Sequence, residues 1–495
     1  MLTVEISEEN FEYDVNALVS AFFPEEEVKV LTPMTSAEKR EEWMPYRKLM
    51  IYFREDGALL ASDLTPAETI ETFKATGDRK FKEEFKRFLY GFLKKETGKT
   101  LPWGNLTGIR PTKLICSMLE EGNNEWQIVK ELEREHFVSE EKARLGIGIA
   151  KREMELLNQI RQQDNCSPEE YCCNTYSLYI GIPFCPTTCL YCSFTSYAIG
   201  AHRKRVDAYL DCLIKEMEYT AEKLRNKILD TIYVGGGTPT TLEAGQLERL
   251  LGKVRELFDF THVKEFTVEA GRPDSITREK LEVLHRAGVT RISINPQTMK
   301  QETLDLIGRK HTVEQVKEAY HLAREVGFDN INMDIILGLL GETAEDVKNT
   351  VEQIKRLKPD SLTVHSLAIK RASALSKWIR ENGVSDLKNT DSTMWIAALG
   401  AKDMEMEPYY LYRQKNMAGN FENVGYARPG KFGLYNILIM EEKQTIAACG
   451  AGSISKAVLS DGRIERCDDI KDVALYIEKI DEIIAKKEAL FSAVV

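Results

Sequence analysis

From about residue 175 the chain alternates between two hydrophobic patterns. Short runs rich in Val, Ile and Thr are each followed by a longer stretch with apolar residues at helical spacing. This alternation predicts βα units and a parallel sheet. Six strands are predicted, over 177–184, 231–234, 265–270, 291–295, 332–337 and 361–367. Amphipathic helices are predicted over 243–258, 312–326 and 343–357. Six βα units make a partial barrel, two short of the eightfold one.

The flanking regions follow other patterns. In residues 1–165 a strand-like run at 48–53 precedes helices. Phe81, Phe85, Phe88, Leu89 and Phe92 fall at i, i+4, i+7, i+8 and i+11, which makes one apolar helix face. The lysines and arginines between them read as a solvated face rather than a recognition surface. The turn-rich segment 103–111 carries Arg110, to which the sequence assigns no chemistry. After about residue 375 the βα repeat stops. The expected organisation is an N-terminal α+β domain over 1–165, a partial (β/α)6 TIM-like barrel over 170–375, and a mixed C-terminal extension over 376–495 that covers the substrate.

Composition narrows the class. The chain has 495 residues, 43% hydrophobic and 29% charged, which is ordinary for a globular protein. Its formal net charge of −11 disfavours nucleic acid or an anionic membrane as the main partner. No apolar run is long enough to predict a membrane span, and the acidic start Met-Leu-Thr-Val-Glu does not have the form of a signal peptide. The expectation is a cytoplasmic protein whose ten cysteines are metal ligands and buried thiols.

The candidate chemistry begins at Cys185, Cys189 and Cys192, which lie within eight residues directly after the first predicted strand. Soft thiolates so close together select zinc, copper(I) or an iron–sulfur cluster. Three ligands where four complete a closed site leave a coordination position open. The other notable polar residues also stand at the C-terminal ends of predicted strands, where barrel enzymes place their chemistry. Gly235-Gly236-Gly237-Thr238-Pro239 follows the second strand, Glu269 ends the third and Gln297 follows the fourth. Asp334 lies in the fifth strand and His365 in the sixth. The glycine run lets backbone approach a ligand closely. Arg309, just after the fourth strand, has the fork geometry to hold a carboxylate. Asp334, inside an apolar strand, is suited to accept hydrogen bonds from a sugar's hydroxyls.

With Cys-x3-Cys-x2-Cys after the first strand and Gly-Gly-Gly-Thr-Pro after the second, the chain resembles the radical S-adenosylmethionine enzymes. Tyr179-Ile-x-Ile-Pro-Phe-Cys185, Glu269, Gln297, Gly-Arg309-x-His-Thr, Met333-Asp334-Ile-Ile-x-Gly-Leu and Ala368 narrow the resemblance. They are similar to the oxygen-independent coproporphyrinogen III oxidase family, and the closing Cys449-Gly-Ala-Gly-Ser segment is most like its HemZ-type (coproporphyrinogen dehydrogenase) branch.

The resemblance implies that Cys185, Cys189 and Cys192 bind three irons of a [4Fe–4S] cluster and S-adenosylmethionine chelates the fourth. One electron, from reduced flavodoxin or ferredoxin, then yields a 5′-deoxyadenosyl radical. Gly236, Gly237 and Thr238 are implied to hold the methionine amino group, Arg309 its carboxylate, and Gln297 and Asp334 the ribose. Glu269 and Ala368 are implied to line the same site, with Tyr179 beside the cluster as a catalytic residue. The implied reaction is oxidative decarboxylation of coproporphyrinogen III propionates to vinyls, giving protoporphyrinogen IX. Lys370, Arg371, Arg413, Lys415, Arg428 and Lys431 are candidates for a basic rim around that tetracarboxylate.

The chain departs from the family at three points. Phe194 occupies the place of a fourth cysteine, Gly181 that of a histidine, and Leu340 interrupts a Gly-Leu-Pro-Gly segment. A phenylalanine at the first position is shared with heme-binding chaperone relatives, yet the His-Asn-x-x-Tyr-Trp segment of that branch is absent. Two alternatives therefore stand beside the oxidase: a heme carrier, and a radical enzyme acting on heme or another tetrapyrrole.

Overall fold

The predicted βα alternation builds a row of six parallel strands. The structure, a computed structural model, describes residues 1–24, 26–43, 47–64, 69–77, 80–369, 373–382, 389–414, 421–459 and 461–492. The six strands are Thr175–Ile182, Ile228–Gly236, Glu265–Glu269, Arg291–Ser293, Ile331–Leu337 and Ser361–Ser366, each hydrogen-bonded in parallel to the next. Every strand overlaps its predicted range. The helices between them start where the sequence supplies caps. Thr312 and Thr343 each accept from the backbone N–H three residues on, while Gln315 and Asp346 reach back to the cap N–H.

The C-terminal portion extends this sheet at both edges. Asn423–Ala427 pairs antiparallel with the sixth strand, and Glu407–Tyr412 pairs with it in turn. At the other edge Thr445–Cys449 runs parallel to the first strand, followed by the antiparallel strands Ile454–Val458 and Ile464–Asp468. The result is one eleven-stranded sheet whose outermost strands, Glu407–Tyr412 and Ile464–Asp468, do not pair with each other among the described residues. The partial barrel is therefore open, and the segment after residue 375 contributes strands to it.

The N-terminal region divides into two packing units. Residues up to Leu101 form a five-stranded mixed sheet with its own core. Against it lies the helix Phe81–Thr97, burying Phe85, Leu89 and Phe92 as the spacing predicts. Lys82 pairs with Asp14 at 2.7 Å and Lys86 with the Thr107 hydroxyl at 2.7 Å, so these cations serve packing. From Trp103 onward the helices Thr112–Glu120, Glu125–His136 and Glu140–Gln163 share the core of the barrel. A buried clasp fixes them there. Glu422 accepts from Trp103 Nε1 at 2.8 Å and from Lys142 Nζ at 2.7 Å. Two hydrophobic cores thus meet near residue 101, within the span expected as one N-terminal domain.

Candidate functional site

The cysteine loop leaves the first strand and is held by residues from three others. Thr238 Oγ1 lies 3.4 Å from Cys185 Sγ, and burial pushes that thiol up to about 11. The N–H groups of Gly237 and Thr238 donate to the carbonyls of Ile182 and Phe184 at 2.8 and 2.7 Å. These bonds draw the glycine run against the start of the cysteine loop. A side chain at Gly237 would meet the Phe184 carbonyl at 2.5 Å, and Gly236 has φ +110°. Glycine is required at both positions, for closeness at one and for backbone conformation at the other.

Arg272, just after the third strand, is the main brace of the loop. It is almost fully buried and paired with Asp274 at 2.8 Å. It donates to the Thr187 carbonyl at 3.2 Å and the Thr187 hydroxyl at 3.1 Å, and its Nη1 stands 3.7 Å from Cys189 Sγ. Sequence reasoning missed it. The available signal was its position, three residues after Glu269 at the end of a barrel strand.

Arg309 is buried beside this loop. Its Nη1 donates to the Asn295 carbonyl at 2.6 Å, and its Nε has no partner. Burial opposes its charge, but Tyr191 and Cys189 beside it keep the guanidinium firmly protonated. Gln297 is buried at φ +65°, an unusual conformation for a residue with a side chain. Its N–H donates to the Asp334 carbonyl at 2.9 Å and its carbonyl accepts from Ile336 at 2.9 Å, so the fifth strand locks it there. Its Oε1 is unpartnered, as is Oδ1 of the nearby Asn295. Strain of this kind concentrates where function requires it.

The barrel interior is aromatic and acidic. Tyr179, Tyr233 and Tyr435 stack, with Tyr233 and Tyr435 centroids 4.5 Å apart and Tyr179 6.1 Å from Tyr233. Tyr233 donates to Glu269 Oε1. Burial pushes the Glu269 carboxyl up to about 7, with Asp334 adding repulsion against the opposing Tyr233 bond. Asp334 accepts from Asn332 Nδ2 at 2.7 Å and lies 3.6 Å from His365 Nε2. Burial raises its carboxyl, but His365, Asn332 and Thr363 outweigh that and hold it below the usual carboxylate range. His365 Nδ1 in turn lies 3.4 Å from the Tyr412 hydroxyl. Ala368, two residues past the sixth strand, is half-buried. His311, beside Arg309, is fully buried and lowered to about 3 by burial and by that guanidinium. A neutral ring there is a structural neighbour of the site.

Among the described residues, Arg413, Arg428 and Lys431 do not form the expected basic rim. Arg413 is buried and donates to the Leu106 carbonyl. Arg428 N–H bonds the Asp360 carbonyl at 3.0 Å and Lys431 Nζ pairs with Asp329 at 3.1 Å, both before the strands begin and so at the opposite end of the barrel. Lys370, Arg371 and Lys415 lie outside the described residues.

The donor set fits a cluster and a small polar cofactor. One tetrahedral zinc with bonds of 2.3 Å draws its sulfurs to about 3.8 Å from each other. The three motif thiols do not form such a group; among the described residues, ligand atoms mutually within 4.8 Å occur elsewhere. Wider spacing suits a polynuclear cluster with each thiol on its own iron. The unpartnered atoms of Asn295, Gln297 and Arg309, next to a glycine run without side chains, are what a buried polar ligand satisfies.

Comparison with known proteins accords with this geometry. The family model described as the radical SAM superfamily matches residues 179–354. The chain is 42% identical over 418 residues to an oxygen-independent coproporphyrinogen-III oxidase-like protein, HemZ, of Bacillus subtilis, covering 82% of this chain and 81% of that protein. It is 35% identical over 243 residues to the heme chaperone HemW of the same organism, covering 49% of this chain and 63% of that one. Among solved structures, coproporphyrinogen III oxidase (HemN) from Escherichia coli aligns with TM-score 0.51 at 23% identity, covering 66% of this chain and 72% of that one.

Proposed function

The chain belongs to the radical SAM family that includes the HemZ-type oxygen-independent coproporphyrinogen-III oxidase-like proteins, and from that premise we propose that it oxidatively decarboxylates coproporphyrinogen III to protoporphyrinogen IX. The supporting observation is the reach of the similarity, which runs over 418 residues and so includes segments well outside the superfamily domain. When bound, the [4Fe–4S] cluster and S-adenosylmethionine supply one-electron, hydrogen-abstracting chemistry.

In this reading the protein's own residues position and shield. Cys185, Cys189 and Cys192 hold the cluster, and Arg272 keeps their loop in place. The Gly236–Thr238 backbone receives the amino group of S-adenosylmethionine, Arg309 its carboxylate, and Gln297 and Asp334 its ribose. Glu269 and Ala368 line the same chamber. Tyr179, with Tyr233 and Tyr435, gives it an apolar, water-excluding wall. Glu269, raised to about 7 by burial, accepts at Oε1 from Tyr233 and can take up or release a proton near neutrality. The tetrapyrrole enters over this mouth, and a reduced flavodoxin or ferredoxin donates the electrons.

A second reading, a heme carrier of the same family, is favoured by Phe194. That side chain is 69% exposed at the position of the fourth cysteine, and a heme chaperone is among the relatives. One anaerobic experiment separates the two readings. The reconstituted protein is given S-adenosylmethionine, a low-potential reductant and coproporphyrinogen III, and products are identified by mass. Protoporphyrinogen IX formed with 5′-deoxyadenosine, and lost in Cys189→Ala, is expected. Untouched coproporphyrinogen together with stoichiometric heme binding would replace the oxidase reading with the carrier one.

A further inference from the structure

Away from the barrel mouth, one side-chain cluster joins three helices. Cys116 comes from Thr112–Glu120, Glu153 from Glu140–Gln163, and Glu441 ends Leu434–Glu441. All three are buried, and the sulfur and one oxygen of each carboxylate lie within 4.8 Å of one another. A second observation is independent of that proximity. Glu153 is 1% exposed and neither of its oxygens has a hydrogen-bond partner; Glu441, 7% exposed, has an unpartnered Oε1.

The neighbouring cation does not resolve this. Arg110 Nη1 stays 3.8 Å from Glu441 Oε1 and makes no hydrogen bond, while Nη2 lies 3.7 Å from Glu442. Buried carboxylates are ordinarily paired, hydrogen-bonded or on a metal, because an isolated one costs several kcal/mol. Nothing among the described residues pairs Glu153. A thiolate with two carboxylates is a mixed soft and hard donor set, and zinc accepts both kinds. The charges also match: three anionic ligands with Arg110 nearby leave a net charge of −2 for a divalent ion.

We propose that Cys116, Glu153 and Glu441 bind one zinc ion, distinct from the cluster thiols, with a fourth position open to water. The ion ties two N-terminal helices to the helix that carries Tyr435. That helix begins on the Glu265 carboxylate, which accepts from Leu434 N–H at 2.7 Å, and Tyr435 stacks on Tyr233 in the barrel. The site is thus a clamp on one wall of the chamber.

The test uses the full chain with Cys185, Cys189 and Cys192 all replaced by alanine, so that the cluster thiols take no metal, alongside the cluster-loaded wild type. After incubation with Zn²⁺ and gel filtration, mass spectrometry is expected to find about one zinc per chain in both. Cys116→Ser and Glu153→Gln, each added to either background, are expected to lose that zinc and leave the iron of the loaded protein unchanged. Co²⁺ in the triple variant is expected to give a thiolate charge-transfer band that vanishes in Cys116→Ser. Should Cys116→Ser fail to fold, Glu441→Gln and a zinc-dependent rise in melting temperature of the wild type carry the same test. Absence of zinc from the triple variant, or zinc indifferent to Cys116→Ser, overturns the proposal and makes the two glutamates a protonated buried pair. Iron in place of zinc overturns the choice of metal.

Discussion

Two buried polar clusters in this chain differ in one respect. In the C-terminal part, Lys487 and Glu216 are fully buried, and Lys487 Nζ reaches Asp469 Oδ2 at 2.9 Å as well as Glu216 and the Ala448 carbonyl. Glu216 Oε2 accepts from Gly450 N–H at 2.8 Å and from the Tyr476 hydroxyl. In that trio Asp469 Oδ1 is the one atom left without a partner. At the barrel mouth the balance is reversed: Asn295 Oδ1, Gln297 Oε1, Arg309 Nε and both ring nitrogens of His311 lack partners. Both clusters are desolvated, but among the described residues the first is largely satisfied by folding and the second is not. Burial alone therefore does not mark a site; unmet hydrogen-bonding capacity does.

The contrast is broken most severely at Lys487. Lys487→Met strands two acids in the interior and is expected to cost about 3–5 kcal/mol by chemical denaturation. Affinity of the folded protein for S-adenosylmethionine is expected to stay within about twofold of wild type. A loss below about 1 kcal/mol would mean that the network is not holding charges. At the mouth, Arg309→Ala removes the guanidinium proposed to hold the ligand's carboxylate. Calorimetric titration is expected to show affinity for S-adenosylmethionine weakened about 10- to 100-fold. Unchanged affinity would remove Arg309 from the site.

Gln297→Gly separates stability from function. Glycine tolerates φ +65°, so stability is expected to rise by about 1 kcal/mol while S-adenosylmethionine binds more weakly. Both moving in the same direction would show that the strain has no functional counterpart. Glu269 is read through pH. Its folded carboxyl is raised from an ordinary 4.5 to about 7. Between those values the unfolded chain loses its proton and the folded chain retains it, so stability is expected to fall as pH rises through that window. Glu269→Gln is expected to flatten the slope; an unaltered slope would assign it to another group.

Much of this arrangement was legible in the chain. The six strands were readable because β-branched runs and helical spacing alternate cleanly, and Thr312 and Thr343 mark helix starts. The sequence singles out the cysteine motif, Gly236, Gln297, Arg309 and Asp334 because each falls within a predicted strand or in the segment that follows one. Arg272 was marked only by its place three residues past Glu269, since residue type alone does not distinguish a buried brace from a surface arginine. The contacts of Trp103 and Lys142 with Glu422 span 319 and 280 residues, and no periodicity encodes such a pairing. The basic rim failed for the same reason: Arg413 is claimed by carbonyls of a loop some three hundred residues earlier.

The strand that leads into the cysteine loop has two neighbours made at different times. Thr175–Ile182 pairs with Ile228–Gly236 soon after both leave the ribosome, but its other neighbour is Thr445–Cys449. At roughly 5–20 residues per second, translation reaches that strand about 10 to 45 seconds later. Throughout that interval the newborn thiols stand beside an unpaired sheet edge. Synthesis order thus opens an interval for the machinery that delivers iron and sulfide, and leaves the same thiols open to oxygen until the last strands arrive.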